Sequence, residues 1–261
     1  MTVFLHEMKR SRVSLIVWSA VLSIMLGICI IIYPEMSSQM GEVSEVFSNM
    51  GEFSAAFGMD ELNFGEFMGY FGVECGNTLG LGGALFAAIT GISALAKEEK
   101  DRTAEFLLTH PISRSKIVLG KLTSVIFQIV IMNSAIIAVT SICILIIGEK
   151  PEIKPFLLLF LAYILMQIEI AVISFAISAF LKSGALGIGL GTAMVFYFMN
   201  IVSNLIEEIE FLKYLTPFGY TDSSFIVKEQ SLDFKYIAVG AVFTLISISI
   251  AFWKYSKKDI A

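Results

Sequence analysis

Residues 156–181 read FLLLFLAYILMQIEIAVISFAISAFL, an apolar run with one ionisable side chain, Glu169, and one amide, Gln167, near its middle. An α-helix needs about 20 mostly apolar residues to cross a hydrocarbon core of about 30 Å. In that medium every backbone N–H and C=O must be satisfied within the segment, so a run of this length predicts a transmembrane helix. Working outward, comparable runs lie at 14–33, 70–96, 121–147, 186–205 and 236–253. The fold predicted is therefore all-α integral membrane, with six transmembrane helices in a single domain over residues 1–261. The composition agrees: 56% of the residues are hydrophobic and 16% charged, well away from the balance of soluble domains.

The first run, Val13–Tyr33, follows Lys9, Arg10 and Arg12 and superficially resembles a secretory signal. It is too long for one and no small-residue cleavage site follows, so it reads as a retained anchor helix. Before it, Val3, Phe4 and Met8 alternate with Glu7, Lys9 and Arg10. This pattern predicts an amphipathic interfacial helix over residues 2–12.

The net charge of −5 is distributed unevenly, and the distribution orients the chain. Lys and Arg are retained on the cytoplasmic side of a membrane. Thirteen of them fall before the first span, in the loop 97–120, at Lys121, at Lys182 and after the last span, against five in the opposite set of connections. The segment 34–69 has no Lys or Arg but carries Glu35, Glu42, Glu45, Glu52, Asp60, Glu61 and Glu66. Loops 34–69 and 206–235 are thus predicted outside, and both termini in the cytoplasm, for a multi-pass protein of the cell membrane. In 34–69, apolar residues such as Val43, Phe47 and Met50 recur at three- and four-residue spacing, the period of an amphipathic helix. The partner implied is membrane lipid, not nucleic acid.

Ionisable and amide groups inside spans cost enough on insertion to be candidate functional residues. Glu169 is the most conspicuous, followed by Glu74 and Asn77 of the second span and Asn200 of the fifth. A cation or proton site at Glu169 and a plain interhelical hydrogen bond both fit. Gln128, Asn133, Asn200 and Asn204 fit helix-joining hydrogen bonds. Gly72, Gly76 and Gly80, with Gly82 and Gly83, and Gly187 with Gly191, have the small-residue spacing that lets helices approach closely; close packing is the expected role, and a moving hinge in the span that flanks the loop 97–120 also fits. Cys29, Cys75 and Cys143 fall singly in or beside apolar runs, as small hydrophobes do. Neither they nor His6 and His110 have metal-ligand spacing.

The loop 97–120 is dense in charge yet patterned. On a helix starting near Asp101, Ala104, Leu107 and Leu108 share a face, Pro111 stops that helix, and Ser113 can cap the next. The result is a short, stiff cytoplasmic elbow bound to the second and third spans. Its string Glu98, Arg102-Thr103, Glu105, Leu107-Leu108, Pro111-Ile112-Ser113-Arg114 and Lys121 resembles the inner loop of type 2 ABC exporter permeases. The six-span layout and basic N-terminal helix extend the resemblance over nearly the whole chain. Arg102 stands where that family usually has Gly.

The resemblance implies a coupling helix around Asp101–Leu108 that docks on a separate ABC ATPase. The contact residues implied are Glu98, Glu99, Arg102, Thr103, Glu105, Phe106, Leu107, Leu108, Pro111 and Arg114. No phosphate-binding Gly-x-x-x-x-Gly-Lys-Ser/Thr loop occurs in the chain. It is thus expected to be a transport subunit and not an enzyme, binding no cofactor, with ATP and Mg in the partner. Two ATPase copies and a second permease chain, as homo- or heterodimer, are expected. The predicted cargo is an amphiphile such as a drug, an antimicrobial peptide or a lipid. The alternative is a secondary transporter or ion channel using Glu169.

Overall fold

The computed structural model describes residues 2–49, 62, 65–100, 113–181 and 186–257. Among these residues, eight α-helices carry the architecture: α1 (Thr2–Asn49), α2 (Phe67–Cys75), α3 (Gly83–Lys100), α4 (Arg114–Ile147), α5 (Ile153–Ser178), α6 (Leu186–Leu205), α7 (Ser223–Glu229) and α8 (Phe234–Lys257). A π-helical turn, Gly76–Gly82, joins α2 to α3 into one second span, and a 3₁₀ segment, Glu207–Tyr214, follows α6. No strand occurs among the described residues. Among the described residues, six helices are long and apolar enough to cross a membrane, so the chain is an all-α membrane protein.

Side-chain contacts fix the directions. Phe4 meets Phe127 and Gly27 meets Cys143, so α1 and α4 run parallel. The second span runs against them, with Trp18 on Phe86, and parallel to α5, where Gly76 meets Tyr163 and Gly91 meets Ala171. α6 returns beside α3 through Gly189 and Ile92, and α8 lies along α5 with Lys254 over the Phe180 ring. One end of the bundle, holding Lys9, Arg10, Arg114, Lys121 and Lys254, is here called basic; the other, holding Glu35, Glu66, Glu149 and Glu152, acidic. The second span and α5 are the most enclosed helices, whereas α6 and α8 leave most of their apolar surface uncovered.

At the acidic end, rings of Tyr33, Phe67, Phe71, Phe156 and Phe160 pack in a chain with centroids 5.1–5.7 Å apart. Lipid is as apolar as the side chains, so association rests on this dispersion contact and on hydrogen bonds.

Three boundaries differ from the sequence expectations, and one expected loop has structure of its own. The stretch 2–12, expected as a helix of its own, continues into the first span without a break. No Gly or Pro interrupts it, and Glu7 is anchored to α4. Residues 34–49 of the expected loop 34–69 prolong α1 through Pro34. Proline lacks the amide that would bond the Ile30 carbonyl, and such a residue is tolerated in membrane helices; just beyond it, Ser37 Oγ donates to the Pro34 carbonyl at 3.1 Å. The loop 97–120 is shorter than expected, because α3 reaches Lys100 and α4 begins at Arg114. Ser113 does take the N-cap position with extended backbone, but its side chain makes no capping bond. The segment 206–235 is ordered by the 3₁₀ turn and by α7, capped by Asp222, whose Oδ1 accepts from the Ser224 and Phe225 amides at 2.9 and 3.3 Å.

Candidate functional site

The basic end gathers three segments on one side chain. Lys121, in the second turn of α4, is 1% exposed. Its Nζ donates to Glu7 Oε1 of α1 at 2.8 Å and to the Ala94 carbonyl of α3 at 2.8 Å. A buried ammonium needs a counter-charge and further acceptors to offset its lost hydration, and both are supplied here. Gly120 makes the approach possible: a Cβ there would stand 3.1 Å from that of Val3. Nearby, Arg114 Nη1 donates to the Ser256 carbonyl at the end of α8, at 3.0 Å. The two helices that flank the segment 101–112 are thus clasped to each other and to both terminal helices.

In the middle of the bundle, Gln167 of α5 bridges two spans. Its Nε2 donates to the Leu79 carbonyl in the π turn at 3.2 Å, and its Oε1 accepts from Asn133 Nδ2 of α4 at 2.6 Å. Two residues on, Glu169 is buried, and its Oε2 accepts from the Tyr220 hydroxyl at 2.8 Å. Its carboxyl lies flat on Gly240 of α8, so closely that a Cβ there would overlap it. Burial, and then the Glu169 charge beside it, push the Tyr220 phenol well above its ordinary range and keep it a donor.

Tyr220 belongs to the segment between α6 and α8, which dips into the acidic end. The segment is tied at several further points. Thr216 Oγ1 donates to the Phe196 carbonyl at 3.0 Å, Tyr163 Oη meets Ser223 Oγ at 3.2 Å, and Ser223 Oγ donates to the Gly72 carbonyl at 2.9 Å. Behind it lies a cavity of about 220 Å³ lined by Glu210, Lys213, Tyr220, Asp222, Asp233 and Tyr236.

The residues expected to act are placed as follows. Arg114 opens α4 at the basic end, and Glu98 and Glu99 belong to the last turns of α3. Arg102, Thr103, Glu105, Phe106, Leu107, Leu108 and Pro111, with the coupling helix Asp101–Leu108, lie outside the described residues. The four intramembrane candidates are not gathered into one site. Glu169 pairs with Tyr220 and the Asn200 carbonyl accepts from Ser203 Oγ at 2.8 Å. Glu74 stands beside Cys29 of α1 and Asn77 is half-buried in the π turn. Of the amides read as helix joiners, Asn133 does bridge spans, whereas Gln128 Nε2 bonds the Ser124 carbonyl of its own helix at 3.2 Å.

Sequence reading missed Glu7 as the partner of Lys121 and Tyr220 as the partner of Glu169. Glu7 had a signal, as an acid on the face of a basic helix. Tyr220 had none, because its partner is far along the chain.

Six apolar spans, with the helices flanking the segment 101–112 clasped to both terminal helices, define the class of multi-pass helical membrane proteins. Comparison with known families makes the assignment specific. The model described as "ABC-2 family transporter protein" matches residues 1–260, and the chain belongs to that family. It is a membrane permease subunit of an ABC transporter, a transport subunit whose family implies association with an ABC ATPase. No curated protein gives a significant match to the chain.

Proposed function

We propose that the chain is the membrane-spanning half of an ATP-driven exporter of an amphiphile, a drug, antimicrobial peptide or lipid, energised by a separate ATPase that docks on the segment 97–120. The observation that carries this reading is the Lys121 clasp. A partner pushing on a floppy loop would do no work on the spans. With α3, α4 and the start of α1 joined at one buried ammonium, a load on the segment between α3 and α4 is delivered to three helices together. The Arg114 bond to Ser256 adds α8 to that unit.

The clustering of Lys9, Arg10, Arg114, Lys121 and Lys254 at one end supports a cytoplasmic position for that end and for both termini in the cell membrane. A second permease chain has a natural seat. α6 and α8 are the least enclosed spans, and Gly187 and Gly191 of α6 face open space. Two permease chains with two ATPases follow, with ATP and Mg in the ATPases. The Glu169 reading, a secondary transporter or channel, has less support, since that carboxyl is closed off by Tyr220 and by Gly240 of α8.

The test is to purify the chain with its co-expressed neighbours. An ATPase is expected to co-purify, and Phe106→Asp is expected to release it. Retention by that variant removes Phe106 from the docking contact, and absence of any ATPase defeats the coupling assignment.

A further inference from the structure

The second span is one of the two that flank the proposed docking segment, and it is not a uniform α-helix. In the turn Gly76–Gly82 the ladder widens: the Gly83 amide reaches back five residues to the Thr78 carbonyl and also touches that of Gly80. Cys75 and Gly83, on either side, have ordinary α geometry, with φ, ψ of −61°, −44° and −65°, −39°. A single π turn between two α segments amounts to one residue inserted into an α-helix. The surplus residue is accommodated where Gly76, Gly80, Gly82 and Gly83 keep side-chain crowding low.

The wide turn is held from the side. Gln167 Nε2 takes the Leu79 carbonyl and is itself positioned by Asn133, both amides being fully buried. Gly83 lies so close to the Gln167 amide that a Cβ would overlap it. Two buried polar atoms here, Thr78 Oγ1 and Asn133 Oδ1, have no hydrogen-bond partner.

The halves on either side of the turn both pack on α5 but differ in their other partners. The acidic-end half, α2, is pinned by the Ser223 bond to Gly72, by the Tyr70 hydroxyl on the Cys29 carbonyl at 2.9 Å, and by Phe71 stacked on Phe156. The basic-end half, α3, is packed on α5 at Gly91 and on α6 at Gly189, and its Ala94 carbonyl is held by Lys121.

We propose that the π turn Gly76–Gly82 is a joint at which α3, loaded through the docking segment, moves against α2, and that Gln167 is the positioning residue that holds the joint in its present register. The inference rests on the coupling reading above. When the load shifts α3, the Gln167 bond to Leu79 breaks and the surplus residue is redistributed along the span. The acidic-end contacts of α2 stay in place.

The test uses the full chain, co-purified with its ATPase, with Cys29, Cys75 and Cys143 replaced by alanine. Two cysteine pairs report the two halves: Gly72→Cys with Ser223→Cys, and Ile92→Cys with Gly189→Cys. Added Cβ atoms there would stand 3.1 and 2.9 Å from their partners', within reach of a disulfide after a small shift. Deleting Gly80 is expected to leave both disulfides forming, because it removes only the surplus residue. Deleting Ala87, which removes a residue from regular α-helix, is expected to abolish the Ile92–Gly189 disulfide. ATP with vanadate is expected to change the rate of that disulfide in the parent chain and not in the Gly80 deletion.

Loss of either disulfide on deleting Gly80 overturns the joint, and so does a nucleotide response that survives the deletion. Should the deletion fail to accumulate, Gln167→Leu decides. It is expected to bring the nucleotide-free rate to the nucleotide-bound value, and an unchanged rate overturns the proposal. Absence of any nucleotide response in the parent defeats the coupling reading instead. That failure is distinguishable, since the two disulfides still report the register of the deleted chain.

Discussion

At the basic end one ammonium with one carboxylate binds three helices, whereas at the acidic end hydroxyls, backbone carbonyls and the Glu169 carboxyl spread the same task over several separate contacts. The difference follows from what each end must hold. The basic end concentrates load from a loop into a few helices, so a single dense anchor serves. The acidic end holds a segment of some thirty residues against the mouths of four helices, and no single bond reaches all of them. The basic anchor is therefore expected to fail outright when broken, and the acidic one by degrees.

The largest effect is expected from Lys121→Met. Removing one partner of a buried pair strands the other, at a cost of about 3–5 kcal/mol. The melting temperature of the detergent-purified chain, followed by size-exclusion fluorescence, should fall sharply. Glu7→Gln, which keeps an acceptor for Lys121, should cost less. Equal losses from the two would mean that the ion pair, and not the hydrogen bonds around Lys121, dominates the clasp.

Next comes Gly240→Leu. A side chain driven into the packed Glu169 carboxyl forces α8 away from α5, and such overpacking costs about 1–3 kcal/mol. A tolerated leucine would show that α8 floats against the core. Asp222→Ala should then cost about 1 kcal/mol, as loss of an N-cap does, loosening α7 alone. Proteolysis between α6 and α8 should quicken while the global melting temperature barely moves.

Much of the scaffold was legible because it is dictated by length and composition. The run 156–181 and its five relatives could be nothing but spans once lipid was the solvent, and the charge imbalance between 34–69 and 97–120 identified the two ends. The family followed from the string around Pro111–Arg114. Pairings were not legible. Lys121 was visible as a positive charge at a membrane edge, but its partners Glu7 and Ala94 lie 114 and 27 residues away and only tertiary packing brings them there. The glycine spacing of the second span fits a packing stripe and a hinge alike. Some do pack, Gly76 on Tyr163 for one, yet the same glycines also permit the π turn, which has no periodic signature. The continuation of α1 through Pro34 was hidden for a related reason, since proline is a breaker in water and tolerable where surrounding groups re-satisfy the helix.

The smallest effect is expected from Tyr220→Phe, and it is the sharpest probe of how the acidic end is held. The substitution keeps the ring, its packing and its volume, and removes only the hydroxyl that donates to Glu169. Side-chain hydrogen bonds between membrane helices average about 0.6 kcal/mol, because the freed groups find other partners. Thr216, Tyr163 and Ser223 would still hold the segment. The variant should therefore melt within about 1 °C to a few °C of the parent on the usual conversion of such an energy, and well above Lys121→Met. A loss matching that of Lys121→Met would mean that the Glu169–Tyr220 bond is a second concentrated anchor. The two ends would then be built alike, each closed by one buried charge.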